Sequence, residues 1–339
     1  MRTREGRRGL LFICILAVVL LVLLLLSFGL GRYAVPPAEV IRILFARIFP
    51  VTPSWTEQME TAVISIRLPR ILLACMVGGC LSAAGTAYQS VFRNPMAAPD
   101  ILGASSGACF GAALAILLGF SRSGVTALAF VSSLLSVALV YAIARRAKGN
   151  PVTMLLLAGV MIGSLFSACT SYVKLVADPT NQLPAITYWL MGSLSGTRMN
   201  AVGFAAVPML IGLVPLLALR WRINLLTLDE EEARSMGVNT GRLRLVVILC
   251  ATVLTAACVA VSGMIGWVGL VIPHLSRKLV GSNCRYLLPA STIFGAIFLL
   301  LVDNISRNLL ATEIPIGILT AFVGAPFFLY LMTRKEQLL

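Results

Sequence analysis

The sequence predicts an all-α, polytopic membrane protein with about ten transmembrane helices. Three observations support this prediction: the composition, the length of the apolar runs and the density of small residues within those runs. Of the 339 residues, 59% are hydrophobic and 12% are charged, and the mean hydropathy is +0.95. An average soluble domain carries about 25% charged residues. The composition therefore excludes a water-soluble globule and indicates a single transmembrane domain over residues 1–339.

Ten apolar runs have about the length that a membrane crossing requires. A helix needs about 20 apolar residues to cross about 30 Å of hydrocarbon. The predicted spans cover residues 10–30, 63–92, 100–119, 124–144, 152–176, 200–220, 243–262, 264–280, 287–308 and 314–333. The first follows four arginines, as a signal peptide would, but its apolar core is too long and no small-residue cleavage site follows. We therefore expect it to be a span.

The positive charges are distributed unevenly between the connections. If the N-terminus is cytoplasmic, 18 lysines and arginines fall on the inner side and nine on the outer side. The positive-inside rule favours this orientation, with both termini in the cytoplasm. Because the cations separate apolar runs, the net charge of +14 indicates membrane topology and a lipid environment rather than a nucleic-acid partner. The eight cysteines lie nearly all in apolar stretches without a Cys-x-x-Cys pair, which predicts neither disulfides nor a metal site.

Two spans contain helix-breaking residues, in segments 94–108 and 263–273. At membrane depth, irregular backbone survives only against protein or a water-filled cavity, so these segments suggest a conduit, although simple turns would explain each one. A faint repeat also fits a transporter, since 67–70 and 242–244 each head an apolar helix, on opposite sides of the membrane. Small residues in the second span predict close helix packing: Gly78, Gly79, Ser82, Ala83, Ala84 and Gly85.

The hydrophilic segment 225–240 is predicted to contain a short helix outside the bilayer, over 228–236. Thr227 and Glu230 fit a capping box, and Gly237 fits a C-terminal stop. Apolar residues beside this helix favour a docking surface over a solvated connector: Leu225, Leu226, Leu228 and Met236. The chain has no Gly-Lys pair, so it does not bind ATP through a Walker A loop.

Six blocks of the sequence, in order, resemble the permease family of ATP-binding-cassette importers for iron-siderophores, haem and cobalamin. The blocks are 67–70, 89–103, 155–160, 230–238, 266–274 and 313–328. The resemblance covers nearly the whole chain and implies the type II importer permease fold in the cytoplasmic membrane of a prokaryote.

The resemblance also implies partners for this chain. They are a second permease subunit, either a copy or a paralogue, two separate ATPase subunits that hold ATP and Mg, and an extracytoplasmic substrate-binding protein. The chain itself would hold no cofactor, catalytic residue or metal. The coupling helix that the ATPase moves would consist of Leu228, Asp229, Glu230, Glu231, Glu232, Ala233, Arg234, Ser235, Met236 and Gly237.

The resemblance identifies three arginines as docking residues for carboxylates of the binding protein: Arg67, Arg70 and Arg307. A guanidinium suits this role because it pairs with a carboxylate through two hydrogen bonds and steers encounter. Contact with lipid headgroups would also explain the first two, and an intrahelical pair with Asp303 would explain the third.

The resemblance places a cytoplasmic gate in the turns after the second and fourth spans: Asn94, Met96, Val152 and Thr153. Val152 departs from the more polar pairs of some family members. Polar residues of the third and fifth spans, with the outer stretch 186–194, are candidates for the translocation path, and core packing is the alternative role: Ser105, Ser106, Ser167, Thr170, Ser171 and Tyr172.

The function predicted from these features is the permease subunit of an ATP-driven importer, with a ferric siderophore as the leading substrate and cobalamin or haem as alternatives. An ion-coupled secondary transporter that uses Asp303, the clear intramembrane carboxylate, and a scaffold without a conduit are the other classes. His274, the only histidine, has no further ligand at metal-binding spacing, so we expect it to have a structural role.

Overall fold

The apolar runs fold into a helical bundle. The structure is a computed structural model. It describes residues 4–31, 33–47, 49, 53–228 and 230–333, and these residues contain no β-strand. The helices are α1 (Arg4–Gly29), α2 (Pro37–Phe45), α3 (Glu57–Glu60), α4 (Leu68–Phe92), α5 (Ala104–Leu117), α6 (Arg122–Arg146), α7 (Pro151–Val176), α8 (Gln182–Leu190), α9 (Met199–Ile223), α10 (Glu230–Ser235), α11 (Thr240–Ser262), α12 (Val268–Val280), α13 (Cys284–Asn308) and α14 (Ile316–Thr333).

Seven stretches of helix are long and apolar enough to cross a membrane, counted over the described residues. They are α1, α6, α7, α9, α11, α13 and the continuous helix Glu57–Phe92, which contains α3 and α4. The apolar helix α5 has 14 residues and α12 has 13, which gives each a length of about 20 Å, less than the hydrocarbon thickness. The expected count of ten full spans is therefore not confirmed.

The two short helices follow the two predicted breaks, and the structure confirms both breaks. Before α5, the chain forms a 3-10 turn at Pro99–Leu102, and Gly103 has a φ of 74°. Before α12, residues 263–267 are not helical, and Trp267 has a φ of 69°. The second span is longer than the predicted 63–92. It starts at Glu57 and passes through a π-helical turn at Thr61–Arg67. Glutamates at its start lower the local hydropathy and hide this extension from the sequence.

The helix α4 lies at the centre of the bundle and packs through glycines. An ideal Cβ on Gly78 would lie 2.2 Å from the carbonyl oxygen of Gly295 in α13, and one on Gly85 would lie 1.8 Å from that of Gly269 in α12. The backbones therefore touch directly, which only glycine permits at these positions. The predicted close packing of the small-residue span is confirmed.

We expect Gly85→Ala to destabilise the protein, because its methyl group would overlap the backbone of α12. Overpacking costs about 1–3 kcal/mol, and a backbone neighbour places this change at the upper end of that range. The measurement is the thermal unfolding midpoint of the purified protein in detergent. Gly203→Ala in α9 is the control, since nothing lies within 4 Å of its Cβ position. An equal midpoint for the two variants would contradict the expectation.

The bundle has two ends, which side-chain contacts identify. We name one end the α10 end. There Arg93, after α4, donates a hydrogen bond to Leu226, and Asn283, before α13, accepts one from Asn224. At the opposite end, named the arginine end, Arg70 near the start of α4 meets Asp303 near the end of α13. Because α11 begins just after α10 and α4 ends there, these two packed helices are antiparallel. Their N-terminal segments therefore lie at opposite ends of the bundle, as the predicted topology requires.

Candidate coupling segment, gate and path

The helix α10 is shorter than predicted, with six residues over Glu230–Ser235. Gly237 has a φ of 76°, and the N–H of Val238 donates to the carbonyl oxygen of Ala233. This pattern closes a helix with a left-handed glycine, so the predicted stop is confirmed. The Thr227 hydroxyl donates to the carbonyl oxygen of Asn224 at 2.6 Å and ends a 3-10 turn there. The predicted capping box stays a prediction, because the side chain of Glu230 lies outside the described residues.

The apolar residues beside α10 divide into two groups. Leu225 and Leu226 are buried, contrary to the prediction, because the 3-10 turn folds them against the end of the bundle. Met236 is 61% exposed, and Leu228 is half-buried. Ala233 is buried and holds α10 against the bundle. Asp229 of the predicted coupling helix lies outside the described residues. The backbone of three others is described but their side chains are not: Glu230, Glu231 and Arg234.

One arginine connects this coupling segment to the central helix. Arg93 follows α4 in the left-handed conformation, with a φ of 50°. Its Nε donates to the carbonyl oxygen of Leu226 at 2.9 Å, and its Nη2 donates to that of Leu228. We did not single out Arg93 from the sequence, since its partners lie more than 130 positions away. The signal for Arg93 that the sequence does contain is its position between the end of a helix and an Asn-Pro turn.

A second clamp holds the same segment from the other side. Asn224 donates through Nδ2 to Oδ1 of Asn283 at 3.0 Å, and its own Oδ1 accepts from the N–H of Cys284 at 2.7 Å. The segment between α9 and α10 is thus attached to α4 through Arg93 and to α13 through Asn224. Movement of α10 would therefore pull on the two helices that pack through Gly78.

The predicted gate residues lie in two turns at the α10 end. Asn94 is exposed, and its Oδ1 accepts from the N–H of Met96 at 2.8 Å. Asn150 caps α7 by accepting from the N–H of Val152 at 2.9 Å, with Thr153 exposed beside it. Asn94 directly follows Arg93, so the first turn is joined to the coupling segment by one residue.

The predicted path residues separate into a buried and an exposed set. Ser105 and Thr170 are buried, and their hydroxyls donate to Asp100 and to the carbonyl oxygen of Phe166. These bonds fit the core-packing alternative. Ser106 is half-buried, and the exposed set lies along one helix, α7: Ser167, Ser171 and Tyr172. The outer stretch 186–194 forms the end of α8 and the turn after it, with Ile186 and Leu194 buried.

After the C-terminal end of α7, Asp178 organises the turn that leads into α8. Its carboxylate accepts from the Thr180 hydroxyl at 2.9 Å and from the N–H of Asn181 at 2.8 Å. These hydrogen bonds favour the charged form, the hydroxyl bond most, and lower the pKa of Asp178. The turn therefore carries a negative charge over the physiological pH range.

The three predicted docking arginines are all buried at the arginine end. The Nε of Arg70 donates to Oδ1 of Asp303 at 2.9 Å, and its Nη1 donates to Glu313 at 2.8 Å. Arg307 lies 3.8 Å from the other oxygen of Asp303, which is the predicted intrahelical pair. Arg67 donates to the carbonyl oxygens of Phe28 and Tyr33. We name the group of Arg70, Asp303, Arg307 and Glu313 the ion cluster.

This burial differs from both roles that the sequence suggested for Arg67 and Arg70. Neither guanidinium extends to lipid headgroups, and neither is open to a carboxylate from outside while its internal partners are in place. The reason is that α1, α4 and α13 converge here and bring carbonyl and carboxylate oxygens to the arginines. Only the side chain of Glu313, 27% exposed, connects the ion cluster to the surface.

His274 lies in α12, buried, with its ring edge-on to Phe327 at 6.3 Å between centroids. Over the described part of the chain, no group of three histidine, cysteine or carboxylate side chains could hold a metal ion. The ring packs against an aromatic side chain, and its buried Nε2 has no hydrogen-bond partner among the described residues.

A helical membrane bundle with two broken spans and a short helix clamped outside its end has the architecture of a transport permease. Comparison with known proteins gives the family. The chain belongs to the FecCD transport family, whose sequence model matches residues 19–334. It is therefore a permease of an ABC importer, a transport component.

Two relatives and one solved structure show the extent of the similarity. The molybdate import system permease protein MolB of Haemophilus influenzae is 42% identical over 322 residues, 95% of each chain. The Fe(3+)-citrate import system permease protein YfmE of Bacillus subtilis is 40% identical over 342 residues, 99% of this chain and 98% of that one. A metal-chelate type ABC transporter in an inward-facing conformation has a TM-score of 0.85 and 40% identity, covering 95% of this chain and 98% of that chain.

Proposed function

We propose that this chain is the permease subunit of an importer that carries a ferric chelate, with a ferric siderophore as its leading form, across the cytoplasmic membrane. Two ATPase subunits would supply the energy, with ATP and Mg bound on them, and both termini would be cytoplasmic. The observation that carries the proposal is the clamp of Arg93, which joins the segment around α10 to α4. A helix held in this way outside the bundle suits a device that transmits force from a partner.

The mechanism follows from the order of the contacts. An ATPase that closes on ATP would push α10 through the exposed Met236 that directly follows it. Arg93 would pass that displacement to the end of α4, and the adjoining turn at Asn94 and Met96 would move with it. The gate would then open or close at the α10 end without a change inside α4.

A second permease subunit would complete the path. The exposed side of α7 carries Ser167, Ser171 and Tyr172 on a membrane-spanning helix. The Ser171 hydroxyl donates to the carbonyl oxygen of Ser167 at 3.0 Å, but a helix face that carries hydroxyls suits an aqueous passage better than acyl chains, and a facing copy would enclose it around such a passage. Such a lining is polar and uncharged, which lets a large chelate pass without tight binding.

The binding protein would dock at the arginine end. Docking at Arg67, Arg70 and Arg307 stays a prediction, and the ion cluster adds a condition to it. A carboxylate of the partner would have to take the place of Glu313 at Arg70, because the other oxygens around these arginines belong to the core.

A second candidate substrate is molybdate, which the similarity to MolB favours. Cobalamin and haem are further alternatives within the family. The relative named for ferric citrate matches nearly the full length of both chains, and we give the ferric chelate precedence on that ground.

The test is uptake into proteoliposomes that contain the complete transporter with its binding protein. We expect ATP-dependent accumulation of a ⁵⁵Fe-labelled chelate and no accumulation by the permease alone. Excess unlabelled chelate should abolish uptake, whereas molybdate, cobalamin and haem should not. Uptake of ⁹⁹Mo-molybdate in place of iron would reassign the substrate. Accumulation by the permease alone against a gradient would contradict the ATP-driven role.

A further inference from the structure

Two exposed apolar stripes run along the neighbouring helices α9 and α11 and converge at the α10 end. Their members recur at spacings of three, four or seven residues, so that each stripe follows one face of its helix. The stripes consist of Val207, Ile211, Val214 and Trp221 on α9, and of Val246 and Leu249 on α11. In a membrane, such faces lie against acyl chains.

The stripes end at a cavity of about 530 Å³ between the C-terminal end of α9 and the start of α11. Its lining includes the apolar side chains of Trp221 and Val246, the guanidiniums of Arg222 and Arg242, and Met236, which directly follows α10. Among the residues whose side chains the structure describes, no aspartate or glutamate lines it. Among the described residues, neither guanidinium has an ion-pair partner, unlike those of the ion cluster.

This combination of groups matches the chemistry of an anionic phospholipid. Two guanidiniums bind a phosphate through charge-assisted hydrogen bonds. A tryptophan at the end of an apolar stripe is typical of the headgroup level of a membrane. The apolar stripes supply the surface that acyl chains need, which a free phosphate ion would not use.

We propose that the cavity binds one anionic phospholipid of the inner leaflet, with its phosphate between Arg222 and Arg242 and its chains along the stripes of α9 and α11. The lipid would contact Met236, directly after α10, and would brace the coupling segment on the side away from Arg93. The proposal rests on the membrane topology of the proposed function but not on its substrate.

The test measures quenching of Trp221 fluorescence by brominated lipids in nanodiscs that contain the full chain. The Trp221 signal is the difference between the wild type and Trp221→Phe. We expect brominated phosphatidylglycerol to be preferred over brominated phosphatidylcholine on the order of tenfold, from two arginines near an anionic headgroup. The double variant R222Q/R242Q should lose this preference, so that both lipids quench equally.

The matched control is R145Q/R146Q, which removes the same charge from the exposed end of α6 and should keep the preference. Equal quenching by both lipids in the wild type would overturn the proposal, and so would an equal loss in the two double variants. Loss of the preference in 10 mM inorganic phosphate would assign the site to free phosphate, and its loss on assembly with the ATPase would assign the cavity to that subunit. Either result overturns the proposal. Uptake measured in proteoliposomes that contain the complete transporter with R222Q/R242Q reports on the proposed function separately.

Discussion

Replacing Arg93 with alanine is expected to lower ATP-driven uptake at least tenfold while the transporter still assembles and hydrolyses ATP. The change removes the hydrogen bonds from the guanidinium to the carbonyl oxygens of Leu226 and Leu228. Bonds from a charged donor contribute about 1.5–3 kcal/mol each, and about 1.4 kcal/mol corresponds to a factor of ten. The coupling segment would then move without displacing α4.

The informative measurement is the ratio of ATP hydrolysed to chelate transported, since a folding defect would lower both numbers together. Arg93→Lys should recover only part of the uptake, because an ammonium cannot reproduce the planar fork that reaches two carbonyls. Arg145→Ala is the control, as an exposed arginine at the same end of the bundle. An unchanged ratio for Arg93→Ala would show that force reaches α4 by another contact, with Asn224 the next to test.

Replacing Asp303 with asparagine should destabilise the protein by about 3 kcal/mol or more. The side chain of Asp303 is 0% exposed and lies between Arg70 and Arg307. Removing one partner of a buried ion pair leaves a charge without compensation, which typically costs about 3–5 kcal/mol. The expected result is a large drop in the thermal unfolding midpoint of the purified protein in detergent.

A second change provides the check on the cause. Adding Arg307→Gln to Asp303→Asn restores the charge balance of the ion cluster and should recover more than half of the lost stability. If the double variant is less stable than Asp303→Asn alone, charge imbalance is not the reason for the loss. A conservative change at an exposed acid, Glu232→Gln, should leave the midpoint unchanged.

The ion cluster also bears on the alternative of a secondary transporter. A proton or cation site needs a carboxylate that its ion can reach and leave. Asp303 has no exposed surface and is paired with two arginines, an arrangement that holds helices together and offers no entry to a cation. The single intramembrane carboxylate that the sequence singled out thus has a structural explanation.

The sequence predicted the parts of the fold that depend on local chemistry. Apolar runs, helix breakers and the glycine after α10 each determine backbone structure within a few residues, so the two breaks and the stop at Gly237 were predicted correctly. The start of the second span was not, because a π-helical turn at Thr61–Arg67 lets glutamates precede an apolar helix.

The environment of the arginines could not be predicted in the same way. Arg70 meets Asp303 across 233 positions of sequence, and no local pattern carries that information. Leu225 and Leu226 were expected at the surface for a related reason, since their cover comes from the end of the bundle. The role of Arg93 depends on a contact of the same long range.

The second span has a consequence for communication across the membrane. It runs without interruption for 36 residues, Glu57–Phe92, about 54 Å of helix. Arg70 attaches this helix to α13 at the arginine end, and Arg93, directly after its last residue, attaches it to the coupling segment at the α10 end. A continuous helix attached in this way couples binding at one end of the bundle to binding at the other. Thermodynamic reciprocity requires the coupling free energy to be the same in both directions. In the proposed transporter, cargo bound at one end would then change the affinity for nucleotide at the other by the same factor as nucleotide changes the affinity for cargo.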